Sequence, residues 1–314
     1  MNQTLENLTS YLTYARIRIV LEAEQPARLP SYKGSTLRGA LGDAMRRLVC
    51  RYPGLKECTE CRLYEQCPYA AFHENALEPG HPLRKLYPKL PQPYIIEPLD
   101  QGETQYKAGD SLVFQVVLAG RALAQYPLLV QSLIELRNTG IGRGQYPFKL
   151  AGIFSQNPDG QMYPLGWGDL PASLSWNGLP DILKNKTFTL EFLTPVYLKM
   201  KGGEARPGQP EFWLSLANRL TWLATLYCGM PMPADLPFRQ LSDMPDCLAD
   251  ETEKIRWTRI SGRQKASMQF GGYTGKVTFS GGHPVFRNLA ALGENLHVGG
   301  QATFGQGHYR ILHP

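Results

Sequence analysis

Residues 14–24, YARIRIVLEAE, alternate: Ala15, Ile17, Ile19 and Leu21 fall on one side, Arg16, Arg18, Glu22 and Glu24 mostly on the other. A period of two predicts a strand with one buried face. After a turn-rich stretch, QPARLPSYKG, the period changes. In STLRGALGDAMRRLVC, Leu37, Leu41, Ala44 and Leu48 recur at helical spacing, with Ser35 or Thr36 as N-cap and Arg38 and Arg46 off the stripe. QPYIIEPL and DSLVFQVVLAG (110–120) predict strands. YPLLVQSLIELRN (126–138) predicts a helix with Pro127 near its start, and TGIGRGQYPFKLAGIF supplies glycines and a further strand. The order is β-α-β-β-α-β, the ferredoxin-like pattern, interrupted after its first helix.

The pattern recurs. TFTLEFLTPVYLKM (187–200) is strand-like, PEFWLSLANRLTWLATLYC (210–228) is a long amphipathic helix, and 255–261 and 268–280 read as strands. HPVFRNLAALGENL (283–296) reads as a helix before a final loop and strand at 297–312. The chain is therefore expected to be α+β, with two tandem ferredoxin-like (RRM-like, βαββαβ) domains. These are an N-terminal domain over 1–155 with a cysteine-rich insertion at about 50–91, a Gly/Pro/Asn/Asp-rich linker over 156–186, and a C-terminal domain over 187–314.

Composition adds limits. At 314 residues, 43% hydrophobic and 19% charged, the chain can build two cores and is not of the disordered class. The N-terminus, MNQTLENLTS, has no signal-peptide pattern and no apolar run reaches membrane-spanning length, so a cytoplasmic protein with reduced cysteines and no membrane partner is expected. The net charge of +6 permits an acidic polymer as partner. Lys254, Arg256, Arg259, Arg263 and Lys265 form a basic segment with no acidic residue.

Two local signals carry chemistry. Cys50, Cys58, Cys61 and Cys67 follow C-x7-C-x2-C-x5-C. In a reducing compartment this spacing points to a closed structural zinc site, with an iron–sulfur cluster as the other metal option, His73 a substitute ligand, and unliganded thiols the plain alternative. Near the C-terminus, His297–Tyr309 reads HVGGQATFGQGHY. Gly299, Gly300, Gly305 and Gly307 would turn the backbone tightly and offer N–H groups to an anion; the plain alternative is a turn between a helix and a strand.

Taken in order, "YKGSTLRGALGDAMRR", "NTGIGRGQYPFKL", "FLTPVYLKMKGGE", "LANRLTWLATLYCG", "RISGRQKASMQFGGYTGKVTFSGG" and "LGENLHVGGQATFGQGHYRIL" resemble the CRISPR precursor-RNA processing endoribonucleases of the RAMP superfamily. The resemblance covers roughly 14–150 and 187–312. It implies two ferredoxin-like halves, CRISPR repeat RNA as substrate and other CRISPR effector or adaptation proteins as partners. It also implies cleavage without a required cofactor: the ribose 2′-hydroxyl attacks its 3′-phosphate, leaving a 2′,3′-cyclic phosphate and a 5′-hydroxyl. Two departures stand out. Relatives place a catalytic histidine near the first helix, whereas the first histidine here is His73; and the lysine that often follows "HVG" is replaced by Gly300 and Gln301.

The chemistry needs a proton acceptor for the 2′-hydroxyl, positive charge on the phosphorane and an acid for the leaving oxygen. His297, a neutral-range group at the start of the glycine-rich loop, is the first candidate; its plain alternative is a histidine bonded to backbone. Tyr32 and Lys33 are second, because the resemblance places catalytic groups before the first helix; Tyr32 otherwise covers the core. Arg38, Arg46, Arg256, Arg259, Arg263 and Lys265, with the four loop glycines, are candidate RNA contacts, the helix arginines being otherwise a solvated face. Tyr273 would stack on a base or simply pack. His283, His308 and His313 are set aside. A non-catalytic RNA-binding subunit on the same fold is the competing function. A two-histidine phosphodiesterase is excluded, because no histidine has Ser or Thr two residues on.

Overall fold

The computed structural model describes residues 2–55, 57–74, 90–99, 102–166, 168–176, 186–260 and 267–312. Two compact units emerge: one of 12–178 with 222–230, the other of 1–11, 179–221 and 231–314. The leading helix α1 (Asn2–Tyr11) thus groups with the C-terminal unit, although sequence position alone places it in the N-terminal domain.

The N-terminal unit is built on β1 (Thr13–Ala23), α2 (Gly34–Val49), a short helix α3 (Pro68–His73), β2 (Tyr94–Pro98), β3 (Ser111–Ala119), α4 (Tyr126–Thr139) and β4 (Phe148–Gln156). The sheet runs β2-β3-β1-β4 with antiparallel neighbours, the strand order of a ferredoxin-like domain. Its register sets Ile17 opposite Val116 and Ile19 opposite Phe114. Ile17, Ile19 and Leu21 are fully buried and meet Leu37, Leu41, Ala44 and Met45 of α2 and Leu129, Leu133 and Leu136 of α4 in one core. Each such aliphatic side chain contributes about 1.5–3 kcal/mol by leaving water.

Three details differ from the sequence pattern. Residues 162–164 pair with β4 and 174–175 pair with β1, so two short pieces of the expected linker extend the first sheet. Helix α2 starts at Gly34 with Lys33 at the capping position and no side-chain cap, so neither Ser35 nor Thr36 is its N-cap. Leu48 is 44% exposed while Met45 is fully buried. The last turn of α2 leaves the domain core and faces the cysteine segment, which moves the buried stripe by one step of the helical wheel.

The outer face of the first sheet holds a polar cluster. Arg16 Nη2 lies 2.7 Å from Glu97 Oε2 and donates to Gln115 Oε1 at 2.8 Å, with Glu97 2% exposed. The alternation that sends Arg16 away from the core therefore delivers it to a paired site and not to bulk solvent.

The C-terminal unit repeats the topology with β5 (Thr187–Val196), α5 (Pro210–Tyr227), β6 (Asp246–Ile260), β7 (Ser267–Ser280), α6 (Val285–Leu296) and β8 (Tyr309–Leu312), in sheet order β6-β7-β5-β8. Its core is aromatic: Trp213 packs edge-on against Phe279 and Phe286 with ring centroids 5.0 and 5.3 Å apart, within the favourable range for such pairs. Strand β6 begins nine residues before the expected 255, because its acidic first half, DCLADETE, is an exposed sheet edge with no apolar alternation to read.

Candidate functional site

Helix α6 stops at Leu296, and His297 turns the chain with φ 59° while its N–H still reaches Gly293 O at 2.7 Å. The His297 side chain is fully buried. Its Nδ1 lies 3.0 Å from Gln306 O, and because a carbonyl only accepts, Nδ1 carries the hydrogen. In the neutral ring the basic lone pair is then on Nε2. His308 stacks on this ring, centroids 4.7 Å apart and planes 3° from parallel. The His308 backbone is fixed to β5: its N–H donates to Thr194 Oγ1 at 2.9 Å, and its carbonyl accepts from Leu193 N at 2.9 Å. Two imidazole rings are therefore held face to face. His308 is half-buried, whereas His297 is fully buried and not at the RNA-facing surface that its sequence position suggests. That correction follows from Gln306, nine residues on, whose carbonyl draws the His297 ring inward.

The glycine-rich loop is packed against its own domain. Gly300 N donates to Tyr197 O, Gly305 N to Ala302 O and Gly307 N to Pro195 O, at 2.8, 2.8 and 2.9 Å. The expectation that these amides are offered to a phosphate is corrected: they are engaged by carbonyls of the same unit. The need for glycine is steric. Gly299 (φ 82°) and Gly307 (φ 69°) are left-handed, and a Cβ would stand 2.5 Å from Tyr197 O at the first and 1.8 Å from Val298 O at the second.

The loop before α2 is also internally committed. Lys33 is fully buried and donates through Nζ to Glu103 O at 2.6 Å. Tyr32 is half-buried, and desolvation pushes its phenol further above its ordinary value, away from use as a base near neutrality. Arg38 donates to Gln92 Oε1 at 3.0 Å and His73 O at 3.3 Å, and Arg46 donates to Leu55 O at 2.9 Å. The helix arginines are thus neither a solvated face nor open to RNA through these N–H groups; they tie the inserted segment to α2. The insertion also brings a histidine back to the first helix. His73, 5% exposed, lies against Gly42, and its Nδ1 is 2.8 Å from Tyr94 Oη. It is a packed residue, and its distance from α2 along the chain concealed the contact.

The basic segment is partly visible. Lys254 and Arg256, two apart on β6 and so on one face, both reach Glu204, Arg256 with Nη2 at 3.5 Å while remaining 62% exposed. Lys254 and Arg206 each stand 5.5 Å from the Tyr273 ring, which packs between cations. Arg259 lies on β6 opposite Met268, and Arg263 and Lys265 lie outside the described residues. An exposed arginine that releases counterions on meeting RNA gives a salt signature. Arg256→Gln is expected to lower the slope of log affinity against log salt by about 0.7, the single-strand value for one phosphate contact. An unchanged slope removes Arg256 from the RNA path.

Cys50, Cys58, Cys61 and Cys67 all line one cavity of about 370 Å³, and none is in a disulfide. No three of their sulfurs lie within 4.8 Å of one another. A tetrahedral zinc site needs sulfurs about 3.8 Å apart, from Zn–S bonds of about 2.3 Å. The four cysteines are gathered, but more widely than a single ion draws them.

Comparison with known proteins places these features. The family model for the CRISPR-associated endoribonuclease Cas6 matches residues 190–309, a span that ends one residue beyond His308 and contains the whole glycine-rich loop. Residues 190–309 are thus a Cas6-type domain. A second family model, described as an N-terminal domain, matches residues 12–169, which include the four cysteines. A search of the curated proteins found no match.

Among solved structures, a Cas6 product complex aligns with TM-score 0.58 at 17% identity, covering 96% of this chain and 99% of that one. Thermus thermophilus Cas6 aligns with TM-score 0.53 at 16% identity, covering 96% and 99%. A partial Cas6-RT-Cas1--Cas2 complex aligns with TM-score 0.54 at 14% identity, covering 97% of this chain and 46% of that one. At these identities the likeness is one of fold, and it agrees with the tandem ferredoxin-like architecture. Among the described residues, no helix is long and apolar enough to cross a membrane.

Proposed function

We propose that this chain binds CRISPR repeat RNA and cuts one phosphodiester by attack of the neighbouring 2′-hydroxyl, giving a 2′,3′-cyclic phosphate and a 5′-hydroxyl. The observation that carries the reading is the endoribonuclease family match over 190–309, a span that contains the stacked His297–His308 pair. The attacking oxygen belongs to the substrate, so what the protein must add is proton transfer and charge stabilisation. His308 takes the role of exchanging a proton with RNA. His297, pinned through Nδ1, is a positioning residue that supports it from behind. Exposed cations such as Arg256 supply phosphate contacts. Cleavage requires no cofactor in this scheme. Neighbours in the fold include a product complex and an assembly with Cas1 and Cas2, which supports CRISPR RNA and adaptation proteins as partners.

The test is incubation of the purified chain with its matching repeat RNA in excess EDTA, with the product ends mapped. One cut with a cyclic phosphate end is expected. Binding without cleavage, with or without added divalent metal, supports the non-catalytic RNA-binding reading instead, which the burial of His297 and the lack of a histidine in α2 favour. Cleavage that appears only with added divalent metal would overturn the metal-independent scheme.

A further inference from the structure

The segment that follows α2 has little core of its own. Two short 3-10 turns, Cys58–Glu60 and Tyr64–Gln66, bury one side chain between them, Tyr64. Yet the backbone is closely folded. Cys61 N reaches Cys58 O at 3.0 Å, Cys67 N reaches Tyr64 O at 3.3 Å, and Cys50 N closes the last turn of α2 on Arg46 O at 2.9 Å. Each turn ends by presenting a cysteine to the same cavity, and Cys58 and Cys67 also pack against the domain core. Bound metals hold small folds without cores in one shape, and this cavity is where one would act on so sparse a segment.

We propose that Cys50, Cys58, Cys61 and Cys67 hold a four-iron, four-sulfide cluster. Three observations separate this from the zinc ion that the spacing alone suggests. First, one ion draws four sulfurs to about 3.8 Å from each other, and no three here lie within 4.8 Å. A four-iron cluster gives each thiolate its own iron and so spreads the sulfurs over the corners of a larger body. Second, the cavity of about 370 Å³ is far larger than a single ion occupies, and Leu48, Val49, Leu55 and Leu63 give it an apolar lining. Third, four thiolates around such a cluster carry net negative charge, and Arg46 and Arg51 line the same cavity. Cys67 is followed by Pro68, the Cys-Pro step that closes the bacterial cluster-binding run. The centre is structural, since it replaces a missing core and pins the insertion to α2 through Arg46.

The proposal is tested on the full-length protein prepared without oxygen, by measuring iron, acid-labile sulfide and zinc together with visible absorption. About four irons and four sulfides per chain are expected, with a broad visible band. Both should be lost in Cys58→Ser and Cys61→Ser and kept in Cys247→Ser, which is outside the cavity. Because loss of a ligand can also unfold the insertion, the content of the unaltered protein decides. One equivalent of zinc without iron or sulfide overturns the cluster, and anaerobic protein free of all three overturns the centre.

Discussion

Single-turnover cleavage of the matching repeat is expected to fall by roughly 10²–10⁴-fold in His308→Ala, the usual range for a lost general acid or base. The expectation rests on geometry. His308 is the half-buried member of the stacked pair, its backbone is anchored to Thr194 and Leu193, and its ring stacks on that of His297. RNA affinity should change far less, because phosphate contacts come from arginine, lysine and backbone groups. His297→Ala removes the surface on which His308 stacks and the bond to Gln306 O; it is expected to lower the cleavage rate less than His308→Ala does. His297→Phe, which keeps an aromatic ring but no proton, separates the two roles: it should retain more activity than His297→Ala if stacking is what matters. Near-normal rates in both histidine-to-alanine variants, with collapse in Tyr32→Phe or Lys33→Ala, would sink the assignment and move the chemistry to the loop before α2.

What the sequence made legible is what local period controls. The alternation of β1, the helical stripes of α2 and α5 and the turn chemistry between them follow from residues within a few positions of each other, and the strand orders of both sheets agree with the repeated pattern. The misreadings share a cause. The His297 ring is buried because Gln306 O accepts from it, and Arg38 is tied down because Gln92 and His73 return to α2; neither contact is encoded by neighbours in sequence. The first half of strand β6 carries no period in the sequence, because an exposed edge has no buried face to impose alternation. The glycine composition of the loop suggests free N–H groups, whereas in the fold it answers to the close approach of Tyr197 O and Val298 O. His308 carried a usable signal: it lies eleven residues from His297 in a loop whose tight glycine turns bring its two ends together.

That steric reading of the loop gives the second large effect. Gly307→Ala is expected to destabilise the C-terminal unit by about 3–5 kcal/mol, a range that single substitutions reach only through a specific mechanism. Two costs combine. At φ 69° an alanine pays about 1–2 kcal/mol for the left-handed conformation. Its Cβ would also stand 1.8 Å from Val298 O, a backbone atom that cannot move without breaking the pairing of Val298 N with Gly307 O. Gly202→Ala serves as the control in the same unit: its φ of 87° carries the conformational cost, but nothing lies within 4 Å of the added carbon. The difference between the two variants isolates the packing term. Hydrogen exchange of amides in β5 and β8 is the suitable measurement, because a chain with two compact units need not unfold in one step. If Gly307→Ala left that exchange as slow as Gly202→Ala does and instead weakened RNA binding, the loop would be a phosphate cradle after all. Faster exchange with RNA affinity lost only in proportion to unfolding establishes that these glycines hold the His297–His308 pair in place.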